Sequence, residues 1–253
     1  MRIGRNIRDL DVPFKDEIEF SKKNNFDLIQ LWYTKGKISM VYEDDSVKAI
    51  IDSKYCTILH GLFDVDDFEQ YSNDFINTLI KLKHKEVILH PVIKSCEVTN
   101  DSKNRLYSNV LKLCNELDKY NITVYVENNH SNMKVFYELN EWKMFFDKAP
   151  KNVEFLLDVV HVMFCDDYSY MKQLVNIKRP KGLHIADTIK GMIGPKHLHI
   201  PIGTGIIDFE KIFNEIIPQY DDLIILEIKN LDKSIIESKA KILEIIYKSK
   251  HSH

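Results

Sequence analysis

Short apolar runs rich in β-branched residues recur along the whole chain, with longer amphipathic stretches between them. The runs occupy residues 2–7, 26–33, 56–63, 86–93, 122–128, 153–160, 182–187 and 223–229. Their length and composition predict eight strands. Most are apolar on both faces, as in "EVILHPVI" and "VEFLLDVV", which is typical of a parallel sheet covered on both sides.

The stretches between the runs show helical spacing. In residues 66–85 the apolar positions on one face are Phe68, Tyr71, Phe75, Leu79 and Leu82, and in residues 104–120 they are Leu106, Val110, Leu113 and Leu117. Eight strand and helix units in 253 residues predict an α/β fold, a (β/α)8 TIM barrel, as a single domain over residues 1–250. We expect residues 251–253, "HSH", to be a tag remnant or a disordered tail.

Composition narrows the functional classes. The chain is 44% hydrophobic and 29% charged with a formal net charge of −3, which is ordinary for a globular protein and gives no basic excess for nucleic acid. No apolar run approaches the roughly 20 residues of a membrane helix, and the first residues lack a signal-peptide core. We therefore expect a cytoplasmic protein without a membrane partner. The four cysteines form no CxxC pair, which argues against a cysteine zinc site.

Strong ligand residues lie near the ends of the apolar runs. They are His60, His90, Glu127, Asp158, His184 and Glu227, with His161 three positions after Asp158 and with His197 and His199 beyond the seventh run. In a closed barrel the carboxyl ends of all strands face one mouth, so these distant positions should converge there. Imidazole and carboxylate groups without thiolates suit zinc, manganese or cobalt.

Each of these residues alone has an ordinary explanation. A single histidine at a strand end is more often a hydrogen-bonded core or loop residue, and carboxylates after apolar runs often cap helices, as expected for Asp66 and Asp67. The recurrence of such residues favours a role as ligands. Glu127, Asp158 and Glu227 all lie in apolar contexts, where an uncompensated carboxylate is costly. A shared metal ion would satisfy all three.

Seven segments carry a resemblance to a known superfamily. They are "ILHGLF", "ILHPV", "YVEN", "LLDVVHVMF", "LHIAD", "HLHIPIGTGIIDF" and "ILEIK", in order between residues 56 and 229. With them the chain resembles the xylose isomerase-like TIM barrel superfamily, which contains sugar isomerases and epimerases and also the endonuclease IV family of abasic-site endonucleases. The strand pattern extends the likeness over almost the whole chain.

The sugar isomerase and epimerase branch implies one divalent ion, commonly manganese, cobalt or magnesium. The implied ligands are Glu127, Asp158, His184 and Glu227. Glu127 and Glu227 would also act as the two acid/base groups, moving a carbon-bound proton through an enediolate, while His161 would hold a substrate oxygen. Further candidates for substrate contact are His60, His90, Asp187 and Lys190, although a solvated loop lysine is the commoner role for Lys190.

The endonuclease IV branch implies two or three zinc ions and abasic DNA as the partner. The resemblance places His60 and His90 with Glu127 on one zinc, the four residues named above on a second, and His161, His197 and His199 on a third. The family has Asp-x-His where this chain has His197-Leu198-His199. The histidine in place of the aspartate removes a negative charge, so the resemblance does not decide whether a third zinc is bound.

Two features favour the sugar branch. "GTGIIDF" resembles the corresponding segment of the sugar isomerases, and the acidic "GLFDVDD" after His60 is unsuited to DNA phosphates. A basic rim remains an alternative; its candidates are Arg5, Arg8, Lys35, Lys37, Lys94 and Lys190. The leading hypothesis is therefore a metal-dependent isomerase or epimerase of a small sugar or sugar phosphate, and as such a possible homo-oligomer. The alternatives are a zinc phosphodiesterase and a non-catalytic sugar-binding barrel.

Overall fold

Eight parallel strands close into a barrel in the computed structural model of the chain. The structure describes residues 1–8, 12–40, 42–164, 167–189, 198–228 and 232–251. The strands are β1 (Arg2–Asn6), β2 (Leu28–Thr34), β3 (Lys37–Ile38), β4 (Thr57–Asp64), β5 (Glu86–Val92), β6 (Thr123–Glu127), β7 (Val153–Asp158), β8 (Gly182–Ile185), β9 (Asp187–Thr188), β10 (Leu198–Ile200) and β11 (Leu223–Leu226). The order β1-β11-β8-β7-β6-β5-β4-β2 closes through pairing of β1 with β2.

Helices lie between the barrel strands and cover them. They are α1 (Phe14–Lys23), α2 (Ser46–Ser53), α3 (Asp67–Leu82), α4 (Asn100–Asp118), α5 (Leu139–Phe146), α6 (Val159–Met163), α7 (Tyr168–Ile177), α8 (Phe209–Lys211) and α9 (Asp232–His251), with a 3-10 turn at Ser131–Met133 and a π-helical turn at Ile212–Ile216. Among the described residues, no helix is both long enough and apolar enough to pass through a membrane. His251, from the expected tail, is the last residue of α9.

The eight predicted strands and the closed (β/α)8 barrel are confirmed, with local differences. The run at 153–160 ends as a strand at Asp158, because Asp158 caps α6 by accepting the backbone N–H of His161 at 2.9 Å. Asp66 precedes α3 but makes no capping hydrogen bond; its carboxylate pairs instead with Arg105 at 2.7 Å. The charged segment that follows β2 contains the short strand β3, which pairs with β2 as a hairpin.

The barrel interior is built in layers. Seven buried side chains, all on barrel strands, form an apolar cluster of their own: Leu28, Ile58, Ile88, Tyr125, Leu156, Leu223 and Ile225. Alternate residues of a strand face the same side of the sheet, so the next inward position of each strand lies two residues further toward the mouth. Gly4 and Gly182 complete the apolar layer without side chains, since a Cβ at Gly4 would collide with Leu28 and a Cβ at Gly182 would be in tight contact with Leu156.

Two arginines expected at the rim are instead held in an ion-pair network. Arg5 is fully buried, donates to the Glu17 backbone carbonyl at 2.8 Å and pairs with the Glu17 carboxylate at 2.5 Å. Arg8 contacts the same carboxylate at 2.9 Å and pairs with Asp232 at 2.7 Å. This network ties β1 to α1 and to the first turn of α9, so these two guanidinium groups are already engaged and are not offered to a phosphate.

We expect Glu17→Ala to lower the free energy of unfolding by about 3–5 kcal/mol, because it leaves the buried Arg5 charge without its partner. Glu19→Ala on the same helix is the control, since Glu19 is exposed and its ion pair with Lys15 is long, at 3.9 Å. Urea denaturation of the two variants and the wild type measures the difference. Equal unfolding free energies for both variants would show that the network contributes no stability.

Candidate active site

A ring of polar side chains, all buried except the half-buried His90, lies directly above the apolar layer. Its members, each two residues beyond a position of that layer, are Asn6, Gln30, His60, His90, Glu127, Asp158, His184 and Glu227. The strand register supports the ring, because Asn6 pairs with Gln30 and Asp158 with His184. The barrel thus brings together all six strand-end ligand residues predicted from the sequence and adds two amides.

Glu127 lies at the centre of this ring. Its Oε1 is 3.1 Å from Nδ1 of His184 and 3.6 Å from Nδ1 of His161. Its Oε2 is 2.7 Å from Nε2 of His60 and 3.2 Å from Nδ1 of His90. Because the carboxylate is only 1% exposed, these imidazoles replace water as its surroundings.

The other two carboxylates converge on the same imidazole. Nδ1 of His184 lies 3.6 Å from Oε1 of Glu227 and 3.8 Å from Oδ2 of Asp158. Glu227 also accepts a short hydrogen bond from the side-chain amide of Gln30, and its Oε2 lies 3.6 Å from Nδ1 of His199. Three acidic groups therefore surround one histidine nitrogen.

Burial and neighbouring charges move the pKa values of this cluster in different directions. Burial by itself would raise the pKa of Glu127, but the imidazoles around it, led by His90 and His184, hold that pKa well below its usual range. The pKa of Glu227 is lowered in the same way, chiefly by His184. Burial raises the pKa of Asp158. Burial would lower the pKa of His184, but Glu227 and Glu127 outweigh it and raise the pKa to about 9.

Three overlapping groups of side chains have the composition and spacing to hold a metal ion. They are His60 with Glu127 and His184, His90 with Glu127 and His161, and Asp158 with His184 and Glu227; within each group the ligand atoms lie within 4.8 Å of one another. In the described part of the chain, no lysine or arginine pairs with the three carboxylates.

The residues present fit a divalent cation. Oδ2 of Asp158 is buried and has no hydrogen-bond partner among the described residues, and it lies on the side of the carboxylate that faces His184. Three buried carboxylates need positive charge nearby, which either a protonated imidazole or a metal ion supplies. A nitrogen and oxygen donor set without thiolates suits zinc, manganese, cobalt or magnesium.

Amide groups orient two histidines on the outer side of the ring. The side-chain N–H of Asn129 donates to the Pro91 carbonyl at 2.8 Å, so its Oδ1, 2.7 Å from His90, accepts the proton of Nε2 and leaves Nδ1 of that ring as an acceptor. Burial lowers the pKa of His90 to about 4. Nδ1 of His161 donates to the backbone carbonyl of Asn128 at 2.7 Å.

Asp187, predicted as a possible substrate contact, has its carboxylate directed at the backbone of a turn. It is fully buried, and its two oxygens accept the backbone N–H groups of Thr188, Gly203, Gly205 and Ile207 at 2.9–3.1 Å. A Cβ at Gly205 would collide with the Thr188 carbonyl and with Asp187 itself, so only glycine permits this approach. We therefore assign Asp187 to holding the Gly-Thr-Gly turn rather than to binding substrate.

We expect Asp187→Ala to lower the free energy of unfolding by about 2–4 kcal/mol, because several backbone donors lose a charged acceptor at once. Asp187→Asn should lose less, since the amide oxygen still accepts from part of the turn. Denaturation curves of both variants measure this order. If Asp187→Ala had no effect on stability, Asp187 would again be a candidate for contact with the substrate.

The remaining predicted residues have mixed outcomes. Lys190 and His197 lie outside the described residues, so their suggested roles stay predictions. His161 groups with His90 and Glu127, whereas the three-zinc prediction placed it with His197 and His199.

Neither Gln30 nor Trp32 was predicted to belong to the site. Gln30 is fully buried and contacts His60, His184 and Glu227. The Trp32 ring stacks on the His60 ring with centroids 4.1 Å apart. A glutamine inside the apolar run "FDLIQLWY" was the available signal, since it lies two positions beyond the inward-facing Leu28.

Comparisons with known proteins agree with this architecture. The sequence profile of a family described as a xylose isomerase-like TIM barrel matches residues 18–245. A search among curated proteins found no significant match.

Among solved structures, a D-tagatose 3-epimerase-like protein is similar over 98% of this chain and 99% of its own, with a TM-score of 0.77 and 18% identity. The IOLI protein, solved with a zinc atom, has a TM-score of 0.71 and 15% identity over 98% and 99%. An AP endonuclease of family 2 from Brucella melitensis has a TM-score of 0.69 and 14% identity over 96% and 98%.

Proposed function

The chain belongs to the xylose isomerase-like TIM barrel family, and on that premise we propose that it is a divalent-metal-dependent isomerase or epimerase of a small sugar or sugar phosphate. One observation carries the proposal. Two buried carboxylates with lowered pKa values, Glu127 and Glu227, approach the same nitrogen of His184 at 3.1 Å and 3.6 Å at the mouth of a closed barrel.

Asp158, His184, Glu227 and Glu127 would hold the metal ion. When bound, a divalent cation polarises a substrate carbonyl and the neighbouring hydroxyl, which makes the hydrogen on the adjacent carbon more acidic. Two of the three carboxylate charges are then compensated inside the barrel, where an uncompensated charge would be costly.

Glu127 and Glu227 supply the proton acceptors. Their lowered pKa values keep both carboxylates ionised, so each can receive a proton from carbon. A carboxylate on each side of a bound sugar allows one group to remove the proton and the other to return it. Return to the opposite face would give an epimer, and return to the neighbouring carbon would give an isomer.

His90 and His161 can hold substrate hydroxyls. The side chains are 13% and 11% exposed, in contrast to the fully buried His60. Nδ1 of His90 is an acceptor, because Nε2 donates to Asn129, and it can therefore accept a hydroxyl proton. Nε2 of His161 can contact the substrate, because Nδ1 already donates to the Asn128 carbonyl.

The test is a screen of ketoses and ketose phosphates in D2O with protein purified without chelator and loaded with manganese or cobalt. We expect one member of the panel to gain deuterium at the carbon next to its carbonyl and to be converted to an epimer or isomer. Elemental mass spectrometry on the same sample gives the metal content per chain. A metal-loaded protein that exchanges no carbon-bound hydrogen in any ketose would contradict the proposal.

A zinc phosphodiesterase is the second candidate, and a specific observation favours it. His90, Glu127 and His161 form a group separate from Asp158 and Glu227, and several metal ions are typical of phosphodiester cleavage. The engagement of Arg5 and Arg8 in the Glu17 network weighs against it, because it removes two candidate phosphate contacts. Nicking of an abasic duplex by zinc-loaded protein, without ketose conversion, would decide for this candidate.

A further inference from the structure

Gln30 occupies a position from which one amide contacts two histidines and one carboxylate. It lies on β2 and is fully buried. Its Oε1 is 2.8 Å from Nε2 of His184, and its Nε2 is 3.1 Å from Nδ1 of His60 and makes a short hydrogen bond to Oε1 of Glu227. Because Gln30 is fully buried, the direction of each of these contacts matters.

The Glu227 contact fixes which way the amide points. An ionised carboxylate only accepts hydrogen bonds, so the amide atom that faces Oε1 of Glu227 must be the donor, Nε2. The opposite orientation would bring the amide oxygen against the carboxylate oxygen, with two acceptors in contact. Oε1 of Gln30 is thereby directed to His184.

The amide oxygen in turn sets the tautomer of His184. An oxygen that can only accept at 2.8 Å requires a proton on Nε2 of His184. In the neutral ring the lone pair is then on Nδ1. That atom lies 3.1 Å from Glu127, 3.6 Å from Glu227 and 3.8 Å from Asp158, so four acceptors converge on a position suited to a cation.

The amide nitrogen of Gln30 sets the tautomer of His60, because it excludes a proton from the ring nitrogen that it contacts. Nε2 of Gln30 can only donate, so Nδ1 of His60 is the acceptor and the ring proton lies on Nε2. This Nε2 is 2.7 Å from Oε2 of Glu127 but makes no hydrogen bond with it, so it is the charge of the carboxylate that favours the proton there. A second proton on Nδ1 would face the amide donor. A protonated Nε2 has no lone pair to offer a metal ion.

We propose that Gln30 is a positioning residue whose amide fixes the tautomers of two histidines, presenting Nδ1 of His184 to one metal ion and withholding Nε2 of His60. The inference rests on the metal centre of the proposed function and deepens it. It removes His60 from a zinc shared with His90 and Glu127, and it makes His60 a support for the Glu127 carboxylate. The polarity of a single amide thus selects one metal ion over several.

The experiment uses protein labelled with 15N in its histidine rings, studied by two-bond 1H–15N correlation before and after loading with zinc. The His60 and His184 signals are assigned from His60→Gln and His184→Gln spectra. We expect both rings to carry the proton on Nε2 in the zinc-loaded wild type, with Nδ1 of His184 shifted by the metal. Zinc per chain, measured by elemental mass spectrometry on the same sample, should be about one.

Gln30→Glu reverses the polarity of the contact with His60. A carboxylate accepts from Nδ1, so the His60 proton should move there and free Nε2, and bound zinc should rise to about two per chain. Gln30→Met removes both contacts and should weaken zinc binding about 10- to 100-fold, with loss of the single-tautomer pattern. Gln173→Glu, an exposed position on α7, is the matched control and should change neither readout.

The outcomes separate the inference from the proposed function. A zinc-loaded wild type with the His60 proton on Nδ1 would overturn the inference, and so would a folded Gln30→Glu variant with an unchanged His60 pattern and zinc content. Should circular dichroism show that Gln30→Glu is unfolded, the wild-type and Gln30→Met spectra decide. Failure to bind zinc at all would contradict the proposed metal centre, and failure to convert any ketose would contradict the proposed reaction while the tautomer result stands.

Discussion

Replacement of Glu127 by glutamine is expected to lower the turnover number on the substrate found in the ketose screen by about 10²- to 10⁴-fold. The amide cannot accept a carbon-bound proton, and it also removes a negative charge from the centre of the imidazole cluster. Glutamine has nearly the same shape as glutamate, so the barrel should stay folded. Glu227→Gln should give a loss of the same order, because Glu227 is the second proton acceptor of the proposal.

Deuterium exchange separates the two glutamates. If one removes the proton and the other returns it, a variant can lose net conversion while it still exchanges the carbon-bound hydrogen of one substrate epimer with solvent. Both variants are to be tested with saturating metal, so that weaker metal binding does not imitate a catalytic effect. Glu69→Gln, at an exposed position of α3, is the matched control. Full activity of either Glu127→Gln or Glu227→Gln would remove that residue from the mechanism.

The barrel was predictable because its strands are buried on both faces. Such strands appear in the sequence as continuous apolar runs, and all eight were found with ends within a few residues of those observed. The positions of the ligand residues followed from the same property. In "TVYVE" the inward residue Tyr125 is followed two positions later by Glu127, and Leu156 and Asp158 repeat the pattern. A polar group at such a position points into the barrel mouth.

The part of the site that sequence could not supply depends on hydrogen-bond direction. Gln30 carries no charge and resembles no ligand, yet its amide dictates how two histidines present their nitrogens. Asp187 shows the converse, since a carboxylate near the mouth seemed suited to substrate but accepts backbone N–H groups from a turn 16 to 20 residues away. Neither role follows from residue type or spacing, because both require knowing which donor faces which acceptor.

Loading the protein with zinc at about a thousandfold over its dissociation constant should stabilise the fold by about 4 kcal/mol, which for a chain of this size raises the melting temperature by about 10 °C. The physical reason is specific to this site. Without a cation the three carboxylates share a buried space, and burial raises the pKa of Asp158 while the pKa values of Glu127 and Glu227 are lowered, so the charged form of Asp158 is the least favoured of the three. A metal ion bound there would compensate the charge of this carboxylate.

Asp158→Asn tests that explanation directly. The amide oxygen can still cap α6 by accepting from the His161 backbone, but the charge that faces His184 is removed. Metal-free Asp158→Asn should therefore be at least as stable as metal-free wild type, while its zinc-induced rise in melting temperature should largely disappear. Asp52→Asn, at an exposed position of α2, should keep the full rise. An Asp158→Asn protein that zinc stabilises as strongly as the wild type would mean that the metal is bound elsewhere, because the carboxylate charge that faces His184 would then not be needed for binding.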